Sequence, residues 1–430
     1  MSEEITEITA LEILDNRLEP TIRVTVKTET ATGCADVPCG RSRGANEAVD
    51  LRDGGDRYHG RGVQTAVENV TDRIAPALIG HDVTAQRTID EILLELDGTA
   101  NKSELGGNAV TGVSLAVLKA GAAVQGVPLY RYLGGVDVST LPIPFFDLIE
   151  GGELGSNDLD FQEHQIVPIG ADSVAEAVCQ CSEVYHELGD LVESTYGPAS
   201  RNVGDEGGYN PIGIDDPRDA FEILLEAIEA CGYDGEFALA ADVAATHFYD
   251  SASETYDLMG DSLSRDELIT FYEALAASYP LVSLEDPLHE EDIDGYATLT
   301  ETLDMQIIGD DLLVTDPERV RTATDHTAAN SLLLKVNQVG TVTEALSAAA
   351  VAHRNGYTVQ VSERSGQTAD TWLAEFAVGL GADQIKTGVT RSERTEQYNR
   401  LLEIETELGS VATYGVDTGP SITDWTETRQ

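Results

Sequence analysis

The chain has 430 residues, of which 77 are Asp or Glu and 26 are Lys or Arg, giving a formal net charge of −51. A surface of that sign repels nucleic acid and anionic membranes, while an apolar fraction of 41% is ample for a large core. The acidic residues are spread along the chain instead of gathered in one block, which argues against an interaction tail.

Such a chain suits molar salt, where the Debye length falls to about 3 Å. No apolar run is read as reaching membrane-spanning length. The acidic start MSEEITEITALEI is neither a secretory signal nor a basic transit peptide. A soluble, cytoplasmic, halophilic protein is expected. Only five lysines occur (Lys27, Lys102, Lys119, Lys335 and Lys386), so those retained are expected where an ammonium is needed. The cysteines Cys34, Cys39, Cys179, Cys181 and Cys231 are odd in number and lack zinc spacing, and they read as free thiols.

In chain order, residues 4 to 37 alternate apolar and polar residues in ITEITALEIL and TIRVTVKTET, and CADVP follows a turn; three β segments are predicted. The loop PCGRSRG comes next. Helical periodicity then runs through VQTAVENVTDRIAPALIG, TAQRTIDEILLEL and NAVTGVSLAVLKAGAAV, which makes residues 1–135 an α+β domain. After the Gly/Pro-rich stretch YLGGVDVSTLPIP, strands alternate with helices, so residues 136–415 are read as an α/β barrel of parallel βαβ units. Residues 416–430 are a polar C-terminal tail.

Within the second domain, short apolar strands each end on a charged residue: FALAADV on Asp242, LVSLED on Glu285, MQIIGDD on Asp310 and SLLLKV on Lys335. The steps between them are 43, 25 and 25 residues, and 25 suits one strand, one helix and two loops. Parallel strands bring their C-terminal tips to one rim, where a barrel places its chemistry. Three carboxylates gathered there repel one another unless a cation lies between them. Oxygen donors without His or Cys point to Mg²⁺. A lysine on the next strand tip, beside a metal, can lose its proton and act as a base.

The segments LPIPFFDLIEGG, VGDEGGYNP, LAADVAATHFY, VSLEDPLHEED, IIGDDLLVTD, LLLKVNQVGTVTEAL, SERSGQT and QIKTGVTRSERTEQYNRLLEIE, with LDGTANKSELGGNAVTGVSLAVLKA in the first domain, are similar to those of the enolase family in order and spacing. The resemblance covers nearly the whole chain and implies a modified β/α (TIM-like) barrel under an N-terminal α+β cap. Carried onto this sequence, it implies Asp242, Glu285 and Asp310 as ligands of a tightly held Mg²⁺. Ser42 would join a second Mg²⁺ that arrives with substrate. Lys335 is implied as the base, and Glu206 with Glu163 as the acid that assists the departing hydroxyl. Arg364, Ser365, Lys386 and Gln162 are implied as substrate-binding residues. The reaction implied is 2-phosphoglycerate to phosphoenolpyruvate plus water, in a homo-oligomer of two or more chains.

Four loop segments depart from the family pattern. Leu154 (with Glu153 beside it) and Glu363 stand where the family has histidines, CGRSR adds Arg41 and Arg43 to the cap loop, and EHQ replaces EFM at Glu163. Glu363 beside a phosphate needs a proton or a cationic partner. Arg41 and Arg43, spaced to lie on one side of an extended loop, are expected either to partner Glu363 or to bind an extra acidic group. Two alternatives therefore stay open at this point: an enolase-like enzyme acting on a more anionic carboxylate or phosphonate, and a catalytically silent binding protein.

Overall fold

The computed structural model describes residues 3–41 and 43–415. Ser42 and the 416–430 stretch lie outside the described residues.

The N-terminal part opens on an antiparallel sheet of three strands, Glu7–Leu14, Pro20–Lys27 and Thr32–Asp36, in that order. Alternation in TIRVTVK places Ile22, Val24 and Val26 on one fully buried face. Against this sheet lies the helix Gly107–Gln125, apolar on almost every side and buried along nearly its whole length. By length and composition this helix could cross a membrane, contrary to the sequence reading. Its faces are covered by protein, and Thr111 Oγ1 on it donates to the Gly340 carbonyl at 2.9 Å.

Among the described residues, eight strands close a barrel in the order Ile143–Glu150, Glu163–Val167, Ala238–Asp242, Leu281–Glu285, Gln306–Gly309, Ser331–Leu334, Thr358–Ser362 and Gln384–Lys386, the last pairing back to the first. Most are buried on both faces, which is why their sequences are near-continuous apolar runs. The uniform parallel alternation expected from the sequence fails at the second strand. Glu163–Val167 runs antiparallel to both neighbours, pairing Glu163 with Glu150 on one side and with Asp242 on the other. The Gly-, Asn- and Asp-rich connection 151–162 carries no crossover helix, so the chain returns in the opposite direction. The long step between Asp242 and Glu285 also has a structural reason. A small antiparallel sheet, Tyr249–Asp250, Thr255–Leu258 and Asp261–Leu263, is inserted there ahead of the helix Arg265–Ser278.

The strand reversal matters for function. A parallel strand offers its last residue to the upper rim, whereas an antiparallel one offers its first. Glu163 therefore meets Glu150, Asp242 and Glu285 at the same end. A register shift between Asp147 and Ile149 adds to this. Positions three apart on a regular strand face opposite ways, and the bulge lets Asp147 and Glu150 both turn inward. Below the rim the barrel is filled by a polar layer: buried Gln306 Nε2 donates to Ser331 Oγ and Thr358 Oγ1 at 2.9 Å and to Gln384 Oε1 at 2.7 Å.

Lysines and arginines fasten the N-terminal part onto the barrel. Lys102 pairs with Glu344 at 2.8 Å and Lys119 with Asp370 at 2.7 Å. Cys39 and Gly366 exchange backbone hydrogen bonds of 2.8 and 2.9 Å. Sheet and helix approach closely at Gly33, where an added Cβ would lie 2.2 Å from the Ala116 carbonyl oxygen and 2.3 Å from Ala120 N. These are backbone atoms and cannot swing aside. Gly33→Ala is expected to lower stability by about 1–3 kcal/mol through overpacking, measured as a shift in the urea unfolding midpoint.

Candidate active site

Lys386 ends the last barrel strand and is fully enclosed. Its Nζ lies 2.7 Å from Glu285 Oε2, 3.0 Å from Glu163 Oε2 and 3.2 Å from Asp242 Oδ2. Burial opposes a charge there, but Asp242, Glu163 and Glu285 together hold the ammonium well above the usual lysine range. Lys335 sits one residue past its own strand, with Nζ donating to Asp310 Oδ2 at 2.6 Å. Gln338 Nε2 donates to the other Asp310 oxygen at 2.6 Å. Burial, Arg364 and Lys386 favour a neutral Lys335, yet Asp310 and Glu285 outweigh them and raise it.

Three further carboxyls, Asp147, Glu150 and Glu206, gather with Glu163 beside this pair. Burial pushes Glu163 up to about 8 despite the adjacent Lys386. Asp147, wholly buried and without a hydrogen-bond partner for either oxygen among the described residues, is driven well above the carboxylate range by burial and then by Glu163, Glu150 and Glu206. Glu150 Oε1 accepts from the Glu206 and Gly208 N–H groups at 3.2 and 2.6 Å, and so shapes the loop that carries Glu206. Glu206 Oε2 is itself buried without a partner among the described residues.

Gln162, Glu163, Glu206, Asp242, Lys335, Glu363, Arg364, Ser365 and Lys386, with Leu154 and Gly40, line one narrow cavity at the rim, about 20 Å³ in volume. Glu285 and Asp310 are joined to the cavity through the two lysines. Gln162 Nε2 donates to Asp242 Oδ2 at 3.0 Å. Arg364 spans to the N-terminal part, forking onto Glu47 at 2.9 and 3.1 Å. Ser365 Oγ accepts from the Arg41 N–H at 2.8 Å and from Arg17 Nη1 at 3.2 Å.

The expected partnership between Glu363 and the cap-loop arginines is overturned. Glu363 is paired with Arg394, a fully buried guanidinium on the helix Ser392–Leu408. Burial still pushes Glu363 well above the carboxylate range, with Arg394 opposing the shift. Arg394 also donates to the carbonyls of Arg364 (2.9 Å), Ser365 (2.9 Å) and Asp205 (3.2 Å), tying two site loops together. Arg41 reaches Asp205 at 2.9 Å and the Glu153 carbonyl at 3.0 Å. Arg43 turns away to Asp50 at 2.5 Å and Cys39 Sγ at 3.3 Å, so the two arginines diverge instead of sharing a side.

The oxygens at the rim fit a hard divalent cation. Asp242 and Glu285 are register partners on adjacent strands, and Asp310 follows the next strand. Glu285 Oε1 is buried with no hydrogen-bond partner among the described residues. The donors are carboxylate oxygens, the hard ligand type that suits Mg²⁺. Two groupings among the described residues place one oxygen from each member within 4.8 Å of the others, Asp147 with Glu163 and Glu206, and Asp286 with Asp310 and Asp311; Asp242, Glu285 and Asp310, held apart by the two ammonium groups, are not such a grouping.

The sequence reading missed Asp147, Glu150, Asp286 and Arg394. Asp286 carried a signal, since it directly follows Glu285. The other three depend on a bulge or on a packing partner distant in sequence.

A closed β/α barrel whose rim gathers buried carboxylates around two lysines has the make-up of an enzyme site for acid–base chemistry. Residues 5–133 match the family model described as the enolase N-terminal domain, and residues 138–420 the one described as the enolase C-terminal TIM barrel domain. A relative from Methanopyrus kandleri named enolase is 54% identical over 417 residues, covering 96% of this chain and 97% of the relative. Enolases from Pyrococcus furiosus and Thermococcus kodakarensis are 51% and 50% identical over 416 residues, covering 96% of each chain. The chain belongs to the enolase family.

Removing one partner of a buried ion pair leaves an uncompensated charge. Arg394→Met is expected to lower stability by about 3–5 kcal/mol, and adding Glu363→Gln to recover part of that loss. Urea unfolding of the single and double variants checks both.

Proposed function

We propose that this chain dehydrates 2-phosphoglycerate to phosphoenolpyruvate with Lys335 as the base that removes the proton next to the substrate carboxylate. The observation that carries this reading is the convergence of Lys335, Lys386, Glu163 and Glu206 on one cavity at the barrel rim. A proton α to a carboxylate is far too weakly acidic unless the developing charge is neutralised. Mg²⁺ held by Asp242, Glu285 and Asp310 supplies that neutralisation, and a second ion arriving with substrate is part of the proposal.

The chain's own groups do the proton work. Lys335 must first become neutral, and only its carboxylate neighbours, chiefly Asp310, oppose this; engaging those oxygens elsewhere leaves burial, Arg364 and Lys386 to favour the free amine. The amine takes the α-proton. Glu206, with Glu163 as partner, gives a proton to the β-hydroxyl, which departs as water while the carbon–carbon double bond forms. Burial that keeps Glu163 protonated near neutral pH supports a proton being available there. Arg364 and Ser365 face the cavity from the side covered by the N-terminal part and are assigned to the substrate's anionic groups, along with Lys386 and Gln162.

A substrate with an additional acidic group has no support from Arg41 or Arg43, since neither lines the cavity. The silent reading is disfavoured by the retained carboxylates and both lysines. The net charge of −51 supports a halophilic setting. Exposed Leu11, Leu14 and Leu18 support self-association, and sedimentation as a monomer would remove that part of the reading.

Purified protein with Mg²⁺ is expected to generate enol absorbance from 2-phosphoglycerate, with activity rising between about 0.1 M and about 3 M KCl as screening lengths shorten. Lys335→Ala is expected to cut turnover at least about 100-fold, the lower end for a lost general base, and to abolish α-proton exchange in D₂O followed by NMR. A parent enzyme with neither turnover nor exchange contradicts the proposal.

A further inference from the structure

Asp286 immediately follows the Glu285 strand tip and is almost fully buried. Its backbone adopts φ = 40°, a left-handed conformation that Asp and Asn tolerate better than most residues. That turn sends the carboxylate sideways toward the next strand tip instead of into the cavity. Oδ1 accepts from the Asp310 N–H at 2.9 Å and Oδ2 from the Asp311 N–H at 2.7 Å. Tyr296, wholly buried on the helix Ile293–Thr302, donates from Oη to Oδ1 at 3.0 Å and shares its hydroxyl with the Leu288 carbonyl at 3.1 Å.

The Asp286 backbone is engaged as well. Its N–H donates to the Ile308 carbonyl at 3.0 Å, and its carbonyl accepts from the Ala245 N–H at 2.9 Å. One residue therefore bonds to the loop after Asp242, to the strand before Asp310 and to the amides of Asp310 and Asp311, while being covalently joined to Glu285. Those are the three strand tips assigned above to the metal. Hydrogen-bond partners behind a ligand set its orientation, and their loss commonly weakens metal binding by about 10- to 100-fold.

We propose that Asp286, braced by Tyr296, is a positioning residue that sets the spacing and aim of Asp242, Glu285 and Asp310 for Mg²⁺. This rests on the reading that those three carboxylates hold the ion. Asp286 groups with Asp310 and Asp311, but its oxygens face the two main-chain amides and Tyr296, and it is assigned here as the brace and not as a ligand. Asn is tolerated at a left-handed position, but its NH₂ group cannot accept, so one of the two amides loses its partner and faces a donor.

The test is calorimetric titration of the full-length protein with MgCl₂ in molar KCl, without substrate. Asp286→Asn is expected to weaken Mg²⁺ binding about 10- to 100-fold, with kcat largely restored at saturating Mg²⁺. Tyr296→Phe, which preserves shape and serves if the first variant does not fold, is expected to weaken it about threefold or more, in line with one lost hydrogen bond. Unchanged Mg²⁺ affinity in either folded variant, with only a lower unfolding midpoint, overturns the proposal. Asp242→Asn is the control for the underlying assignment: if it also leaves Mg²⁺ affinity intact, the ligand reading has failed and not merely the role of Asp286.

Discussion

The structure depends on how buried carboxylates at one end of the barrel are neutralised. Glu163, Asp242 and Glu285 converge on the Lys386 ammonium, and Asp310 is held by Lys335. An unpaired ion in such a position carries a penalty of several kcal/mol, so these strand tips can be gathered only if cations come with them. In a chain with five lysines, two are spent on this task and two more pin the N-terminal part to the barrel. The fifth, Lys27, pairs with Glu7 on an exposed strand edge. Surface acidification has left ammonium groups mainly where geometry demands them.

Two irregularities make that convergence possible. Reversing the second strand turns Glu163 toward the same rim as the C-terminal tips of its neighbours. The bulge in the first strand turns both Asp147 and Glu150 inward, the latter to receive the amides of the Glu206 loop. Regular βαβ repetition would have presented these carboxyls to different layers. The N-terminal part completes the enclosure, since Glu47 holds Arg364 and both Arg17 and the Arg41 amide hold Ser365. The cavity is thus formed jointly by both parts of the chain.

Much of this was legible in the sequence, because strand-end charges at fixed intervals carry their own geometry. Asp242, Glu285, Asp310 and Lys335 could be placed on one rim from spacing alone, and the family resemblance pointed to the remaining cavity residues. What could not be read were features set by pairing direction and distant packing. No residue pattern in 151–162 announces that the next strand runs backward. The partner of Glu363 lies 31 positions away on a helix whose sequence looks like any amphipathic surface segment, while Arg41 and Arg43 were nearer to hand and chemically plausible. The inward turn of Asp147 depends on a one-residue register shift, which periodicity cannot show.

Thermal unfolding of the unaltered protein in molar KCl, with MgCl₂ or with a chelator, tests the central claim most directly. If the rim carboxylates form a preorganised divalent site, Mg²⁺ at 100 times its Kd adds about 2.7 kcal/mol to the folded state, and the midpoint rises accordingly. Superimposable curves at every Mg²⁺ concentration would mean that the two lysines neutralise the rim by themselves and that no divalent ion is held there.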